Sequence, residues 1–381
     1  MGIKKILRNL GPGLLFAGAA VGVSHLVQST RAGAAYGFDL VWIIILVNIF
    51  KYPFFEIGQR YTAAMNESLI RGYERVGRWA VWLYLILNIF SSVLTIGAVT
   101  FVAAAIFNSL FFLFAGVTLT AEVTSVFYLI IVAAILFLGK YGVFEDFVKY
   151  LIISLSILTI IAVSVSAYIG THISPDFIPT TILNQAGIGF LLALMGWMPA
   201  PMELSSWTSL WALENNKETG TRKDFNNSML DFNIGYVVCI FLAIFFLALG
   251  AFVMYGTGEE FSSSAIVFSG QLLTLYTSTI GDWSEGIIAF IMFVTMFSTV
   301  ITCLDAYPRS LAEAVKIIKG YGPVDRSDRY YWPFLIGITL SGSVLIYFFT
   351  SSLTLFVDIV TIIAFLSSPI VATLNFMVIR R

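Results

Sequence analysis

The chain has 381 residues, 59% of them hydrophobic and only 11% charged, with a mean hydropathy of +0.91. Soluble domains carry about 25% charged residues, so a soluble enzyme or binding module is excluded and nearly all the mass belongs in a lipid bilayer. A formal net charge of −1 leaves no basic footprint for nucleic acid, and no nucleotide loop, cofactor motif or catalytic constellation appears.

Apolar stretches of about 20 residues can each cross the hydrocarbon core. Ten are expected, near 13–36, 40–64, 79–107, 123–139, 147–170, 187–212, 229–256, 285–308, 331–350 and 354–378. The basic residues Lys4, Lys5 and Arg8 precede the first, as in a signal peptide. Gly11-Pro12-Gly13 interrupts that stretch, it runs on too long, and it has no small-residue cleavage pattern, so it reads as a first membrane span. With the N-terminus inside, the inner connections hold Arg60, Arg71, Arg75 and Arg78, then Lys140 and Lys149, then Lys217, Arg222 and Lys223. Arg309, Lys316, Lys319, Arg326 and Arg329 follow, and finally Arg380 and Arg381. The outer connections near 108–122, 171–186, 257–284 and 351–353 contain no Lys or Arg. That asymmetry predicts both termini on the cytoplasmic side of a plasma (bacterial inner) membrane and an even number of spans. His172 falls in an outer loop, and the Ser/Thr-rich segment 262–280 is expected to form a short helix at the interface. Cys239 and Cys303 both lie in apolar spans, a pattern of neither a disulfide framework nor a thiolate metal site.

The sixth span contains Met195-Gly-Trp-Met-Pro-Ala-Pro-Met-Glu203. Pro199 and Pro201 each remove a backbone donor and clash with the preceding turn, so the helix should open near its middle. Backbone groups freed at that depth need protein, water or a solute as partner. Ten spans divide into two sets of five, about 11–170 and 187–378, within a single transport domain over 1–381. An odd-numbered repeat inverts its second copy, which makes span 6 the counterpart of span 1 and predicts a break there too. Ala19-Ala-Val-Gly-Val-Ser-His25 holds poor helix formers at the right depth. The expected architecture is an all-α membrane fold with an inverted five-plus-five repeat and mid-membrane breaks in spans 1 and 6. Its expected function is secondary transport by alternating access.

Gly11-Pro-Gly13, Arg31-Ala-Gly-Ala-Ala-Tyr-Gly-Phe38, Trp42, Asn48, and Arg60 followed by Leu69 resemble the first two helices of the NRAMP family of divalent-metal transporters. Met198-Pro199 resembles that family's Met-Pro-His motif, Leu138-Gly-Lys-Tyr141 with Glu145 its helix 4–5 loop, and Ser298-Thr-Val-Ile-Thr302 its helix 8. The resemblance implies a LeuT-type fold with substrate held between the unwound parts of helices 1 and 6. This chain departs from the pattern at several positions. The family's Asp-Pro-Gly-Asn corresponds to Gly22, Val23, Ser24 and His25, its helix-6 His to Ala200, and its helix-10 Gln to a position near Thr361. Span 3 has no acid and span 9 no internal Arg, so transport without proton coupling is expected.

The expected substrate-binding set is Gly22, Ser24, His25, Met195, Met198, Ala200 and Thr361. Imidazole is a common transition-metal ligand and a thioether suits soft ions, so His25 and Met198, with Glu203, are the expected metal ligands. Each has an alternative: His25 as partner to frayed backbone, Met198 as apolar filler, and Glu203 as a cap on the second half-helix. Arg31 is an intramembrane cation, expected to pair with Glu122 or Asp39 or to snorkel outward. Asp305 and Arg309 have the i, i+4 spacing of a helix ion pair and suggest an inner gate. Asp231 is expected to cap the inner end of span 7, and Asp358 to face the outer vestibule. The cargo is then a divalent transition metal or, alternatively, a small organic or anionic solute. A non-transporting sensor on the same fold is a third possibility. Beyond the cargo and the bilayer no partner is implied.

Overall fold

The computed structural model describes residues 12–138, 141–171, 173–218, 220–322 and 328–380. Lys4, Lys5, Arg8, Gly11, Gly139, Lys140, His172, Arg326 and Arg381 lie outside the described residues, as do the side chains of Glu145 and Lys149.

The first apolar stretch is α1 (Pro12–Ala20), a π-helical turn (Ser24–Ser29) and α2 (Thr30–Tyr36). Then come α3 (Val41–Met65), α4 (Leu69–Val76), α5 (Arg78–Ala115), α6 (Ala121–Phe137) and α7 (Tyr141–Ile169). The second half holds α8 (Gln185–Gly196), α9 (Leu204–Glu218), α10 (Phe225–Val253) and α11 (Ala265–Ile280). It ends with α12 (Glu285–Ile318), α13 (Tyr331–Phe348) and α14 (Leu353–Ile379). Among the described residues α3, α5, α10, α12, α13 and α14 are long and apolar enough to cross a bilayer unaided, and α6, α8, α11 and Ile153–Ile169 of α7 are shorter apolar helices.

Polar caps set several helix starts. Asn184 accepts from the Gly187 amide at 2.7 Å ahead of α8, and Ser68 accepts from the Arg71 amide at 3.3 Å ahead of α4. The eight-residue α4 is not among the sequence expectations, because it is too short for an apolar run. Arg71 on α4 bridges to Glu313 of α12 at 3.3 Å, which ties the connection between α3 and α5 to the bundle. The segment expected at 262–280 is helical as α11, and it packs on α5 and α7.

α5 and α12 form the central pair, 78% and 83% buried across their apolar windows, whereas α13 is 28% buried and peripheral. α10 lies along α1 and α2, α14 along α8, and α9 along α3. In lipid, small residues let helices approach closely without a hydrophobic drive. A Cβ on Gly33 of α2 would lie 1.9 Å from the Leu247 carbonyl, and one on Gly250 of α10 would lie 2.2 Å from the Thr30 carbonyl. Those two glycines permit backbone contact between α2 and α10. The outer faces carry exposed Trp42, Phe50, Phe90, Phe114 and Tyr347, an apolar surface that suits hydrocarbon and not water.

Candidate substrate site

The first break falls where expected. Helical bonding ends at Ala20, Gly22 donates back to Ala20, and the chain restarts when the His25 and Leu26 amides donate to the Gly22 carbonyl at 3.1 and 2.9 Å. The Thr299 hydroxyl of α12 lies 3.2 Å from the Gly18 carbonyl and 3.4 Å from that of Val21. A Cβ on Gly22 would stand 2.8 Å from the Thr299 side chain, so α12 closes one side of the break. π-helical turns of this kind recur at functional sites.

His25 is fully buried and both ring nitrogens are engaged. Nε2 donates to the Cys239 carbonyl of α10 at 3.0 Å, and Nδ1 is 2.7 Å from the Ser24 hydroxyl. The Cys239 carbonyl can only accept, so Nε2 carries a proton, while the single proton of the Ser24 hydroxyl has both Nδ1 and the Ala20 carbonyl, at 2.8 Å, within reach. Both ring nitrogens are covered, and metal ligation would require one of these contacts to break. Ser24 also lies 3.3 Å from the Pro199 carbonyl, and this links the two breaks directly. Ser24→Ala is expected to lower the unfolding midpoint in detergent by the equivalent of about 1–3 kcal/mol, the usual cost of a buried group left unsatisfied. An unchanged midpoint would show that the ring makes no such tie.

The second break runs from Trp197 to Glu203, between α8 and α9, and contains the cis Met198–Pro199 bond. The last carbonyls of any helix lack intrahelical partners. At the end of α8 a lysine supplies them. Lys51 Nζ of α3 donates to the Met195 carbonyl at 2.7 Å and to the Gly196 carbonyl at 2.8 Å, with the side chain only 7% exposed. Gly196 itself presses on α14, where its Cβ would meet the Thr361 carbonyl at 1.8 Å. Met198 is fully buried in an apolar cluster with Ile44 and Val47 of α3, Leu194 of α8, and Ala243 and Leu247 of α10. Ala200 is buried beside the break.

Beside the breaks sits a polar cluster. Arg31 Nη1 and Nη2 donate to the two carboxylate oxygens of Asp358 at 2.6 and 3.0 Å. Gln28 donates to Asp358 at 2.9 Å and to the Thr361 hydroxyl at 3.3 Å, and its own oxygen accepts from Arg31 at 2.9 Å. Arg31 therefore pairs with neither Glu122 nor Asp39. Its partner lies 327 positions away, and it also covers the ring of Phe190. A bidentate fork of this kind fixes geometry as well as charge, and it clasps the first span to α14.

On α12, six residues beyond Thr299, or about 9 Å along the helix axis, Asp305 accepts from Arg309 at 2.6 Å and from the Tyr331 hydroxyl at 2.8 Å. This pair is separate from the breaks. Asp231 lies inside α10 and not at its start, because that helix already begins at Phe225, and it pairs with Lys223 at 3.1 Å. Glu56 pairs with Arg60 one turn along α3.

Glu203 behaves differently. It is 1% exposed, and neither carboxyl oxygen has a hydrogen-bond partner, so the side chain does not cap α9. The Ser91 hydroxyl stands nearby but outside bonding geometry. The nearest cation acting on it is Lys51, with which it interacts electrostatically without forming an ion pair. Among the described residues no three His, Cys, Asp or Glu side chains gather as a metal cluster.

Of the sequence-expected residues, the structure thus brings together Ser24 and His25 with the Pro199 carbonyl beside Ala200, while Thr361 meets Gly196, the neighbour of Met195. The central positions of Lys51 and Gln28 are not among those expectations. Lys51 had left a signal, a charge inside an apolar span, whereas a lone Gln leaves none.

The comparisons with known proteins agree with this architecture. The family model for natural resistance-associated macrophage protein-like (Nramp) sequences matches residues 13–381. An uncharacterized protein of Pasteurella multocida (strain Pm70) is 38% identical over 375 residues, covering 98% of this chain and 85% of its own length. A mutant of the Eremococcus coleocola manganese transporter superposes with a TM-score of 0.66 at 14% identity, over 98% of this chain and 77% of that one. Mhp1, a nucleobase-cation-symport-1 family transporter in a closed conformation with bromovinylhydantoin bound, gives a TM-score of 0.59 at 12% identity, over 92% and 74%. At such identities the two solved structures speak for the fold alone, which is LeuT-type. With the family match over nearly the whole length, the chain belongs to the Nramp family, as an integral membrane transporter and not an enzyme.

Proposed function

We propose that this chain is a secondary transporter that moves a metal cation through the site between its two broken helices, by alternating access and without proton coupling. The observation that carries this reading is the cation already seated at the second break. Two carbonyl oxygens at the end of α8 face an ammonium at 2.7 and 2.8 Å. A half-helix C-terminus carries partial negative charge, and unwound carbonyls at such ends coordinate cations in transporters. The second reading, an anionic solute, loses its main support because Arg31 is neutralised by both oxygens of Asp358. The manganese transporter among the structural neighbours recommends Mn²⁺ as the probe ion.

In this reading the Met195 and Gly196 carbonyls are the primary oxygen donors and the Met198 thioether, two residues on, supplies a softer one. His25 and Ser24 hold the two breaks together, with Gly22 and Ala200 as walls and Thr361 as the contact on α14. Arg31 with Asp358 forms the outer closure and Asp305 with Arg309 the inner one. The basic connections face the cytoplasm, and residues about 11–170 and 187–378 are the two inverted halves. Purified protein in liposomes loaded with a pH-sensitive dye is expected to take up Mn²⁺ saturably with no internal acidification. Acidification in step with uptake would restore proton coupling, and absence of uptake would remove the metal reading.

A further inference from the structure

Lys51 reaches both carbonyls at the end of α8, and it does so without a carboxylate against it. An ammonium held in the membrane interior without a counter-charge is costly, so its two carbonyl bonds are what keep it there. Lysine is suited to a replaceable role. Its charge is compact, its three donors are interchangeable, and its four-carbon stem is flexible. Only two of the three donors are used.

The other half of the arrangement is Glu203. Of the other acids described above, buried Asp305 has Arg309 and Tyr331, buried Asp231 has Lys223, and half-buried Asp358 has Arg31 and Gln28. Glu203 alone has no bonding partner for either oxygen, although it is 1% exposed. It sits at the far lip of the same break and feels the charge of Lys51. The pair is therefore split: the cation occupies the backbone cradle while its natural counter-ion stands empty beside it.

We propose that Lys51 is a tethered resident cation, filling the Met195–Gly196 carbonyl cradle in the empty transporter and withdrawing to the carboxylate of Glu203 when the cargo cation takes its place. The proposal rests on the cation-transport reading above. It also supplies a physical reason for uncoupled transport. The empty carrier keeps a positive charge at the cradle, so its return needs no second ion to neutralise those carbonyls. Cargo entry in turn completes the Lys51–Glu203 pair, so that the carboxylate left without a partner in the empty state gains its counter-charge.

The test is Mn²⁺ binding by titration calorimetry to the purified full chain and to Lys51→Met, Lys51→Gln, Glu203→Gln and the Lys51→Met/Glu203→Gln double variant. Lys51→Gln keeps a neutral donor for the carbonyls and guards against a folding failure of Lys51→Met. Removing the competitor is expected to tighten Mn²⁺ binding at least tenfold in both Lys51 variants. Glu203→Gln is expected to weaken binding severalfold when Lys51 is present and to have no effect when it is absent, a coupling that only a double-mutant cycle reveals. A carboxylate that ligated the metal itself would weaken binding in both backgrounds and overturn the proposal. Equal affinity in wild type and both Lys51 variants, or loss of binding in them, would overturn it while leaving cation transport standing. Binding by the Lys51 variants alone would uphold the resident cation and remove Mn²⁺ as cargo of the natural protein. Binding by none of the proteins would remove both.

Discussion

Gly196→Ala is expected to cut the initial rate of Mn²⁺ uptake more than tenfold while the protein still folds. A methyl group there would lie 1.8 Å from the Thr361 carbonyl oxygen and 2.7 Å from its carbon. These are backbone atoms, so no side-chain rotation relieves the clash and α8 must move off α14. Overpacking of this kind costs about 1–3 kcal/mol in stability. The functional loss should be larger than that, because Gly196 also presents one of the two carbonyls that hold Lys51, and displacing α8 spoils the cradle. Gly189→Ala is the internal control. It lies on the same helix with nothing within 4 Å of its added methyl, and it should leave the rate unchanged and not lower the midpoint, since Ala favours a helix interior over Gly. Full transport by Gly196→Ala would show that α8 and α14 are not in contact as described.

Asp358→Asn is expected to destabilise the protein, because it leaves Arg31 without its counter-charge. Breaking a buried pair on one side costs about 3–5 kcal/mol. Here the two side chains are 16% and 23% exposed, so solvent reduces the loss to about 1–3 kcal/mol. Arg31→Gln should cost a similar amount, and the double variant should cost less than the sum of the two, since no charge is then stranded. Unfolding midpoints in detergent for the three proteins give this coupling directly, and strict additivity would mean that the pair does not act as a unit.

Much of the fold was legible because the bilayer imposes a length on each apolar stretch. The break in α8–α9 followed from Pro199 and Pro201 alone, and the break at Gly22 followed from pairing the two halves. The eight residues of α4 escaped because their pattern is too brief to stand out from a connection. The site was less legible, for a specific reason. Its decisive contacts run from side chains to backbone, and a carbonyl leaves no letter in a sequence. His25 read as a ligand but is tied to Ser24 and the Cys239 carbonyl. Lys51, a charge inside an apolar span, holds two carbonyls. For Arg31 the sequence suggests Glu122, Asp39 or an outward-snorkelling side chain, whereas its partner Asp358 is 327 positions away, a distance that only the fold closes. Met198 illustrates the remaining ambiguity of a thioether, since the side chain that the family resemblance marks as a ligand is packed among aliphatic neighbours.

The central claim is that the carbonyl end of α8 is the cation site. Anomalous scattering from crystals of the protein grown with Mn²⁺ tests it most directly. The account predicts one strong peak at the second break, about 2.0–2.6 Å from the Met195 and Gly196 carbonyl oxygens, the range for oxygen ligands to small divalent ions, with Lys51 Nζ moved away from them. Peaks confined to surface carboxylates, with Lys51 still seated on both carbonyls at saturating Mn²⁺, would contradict it.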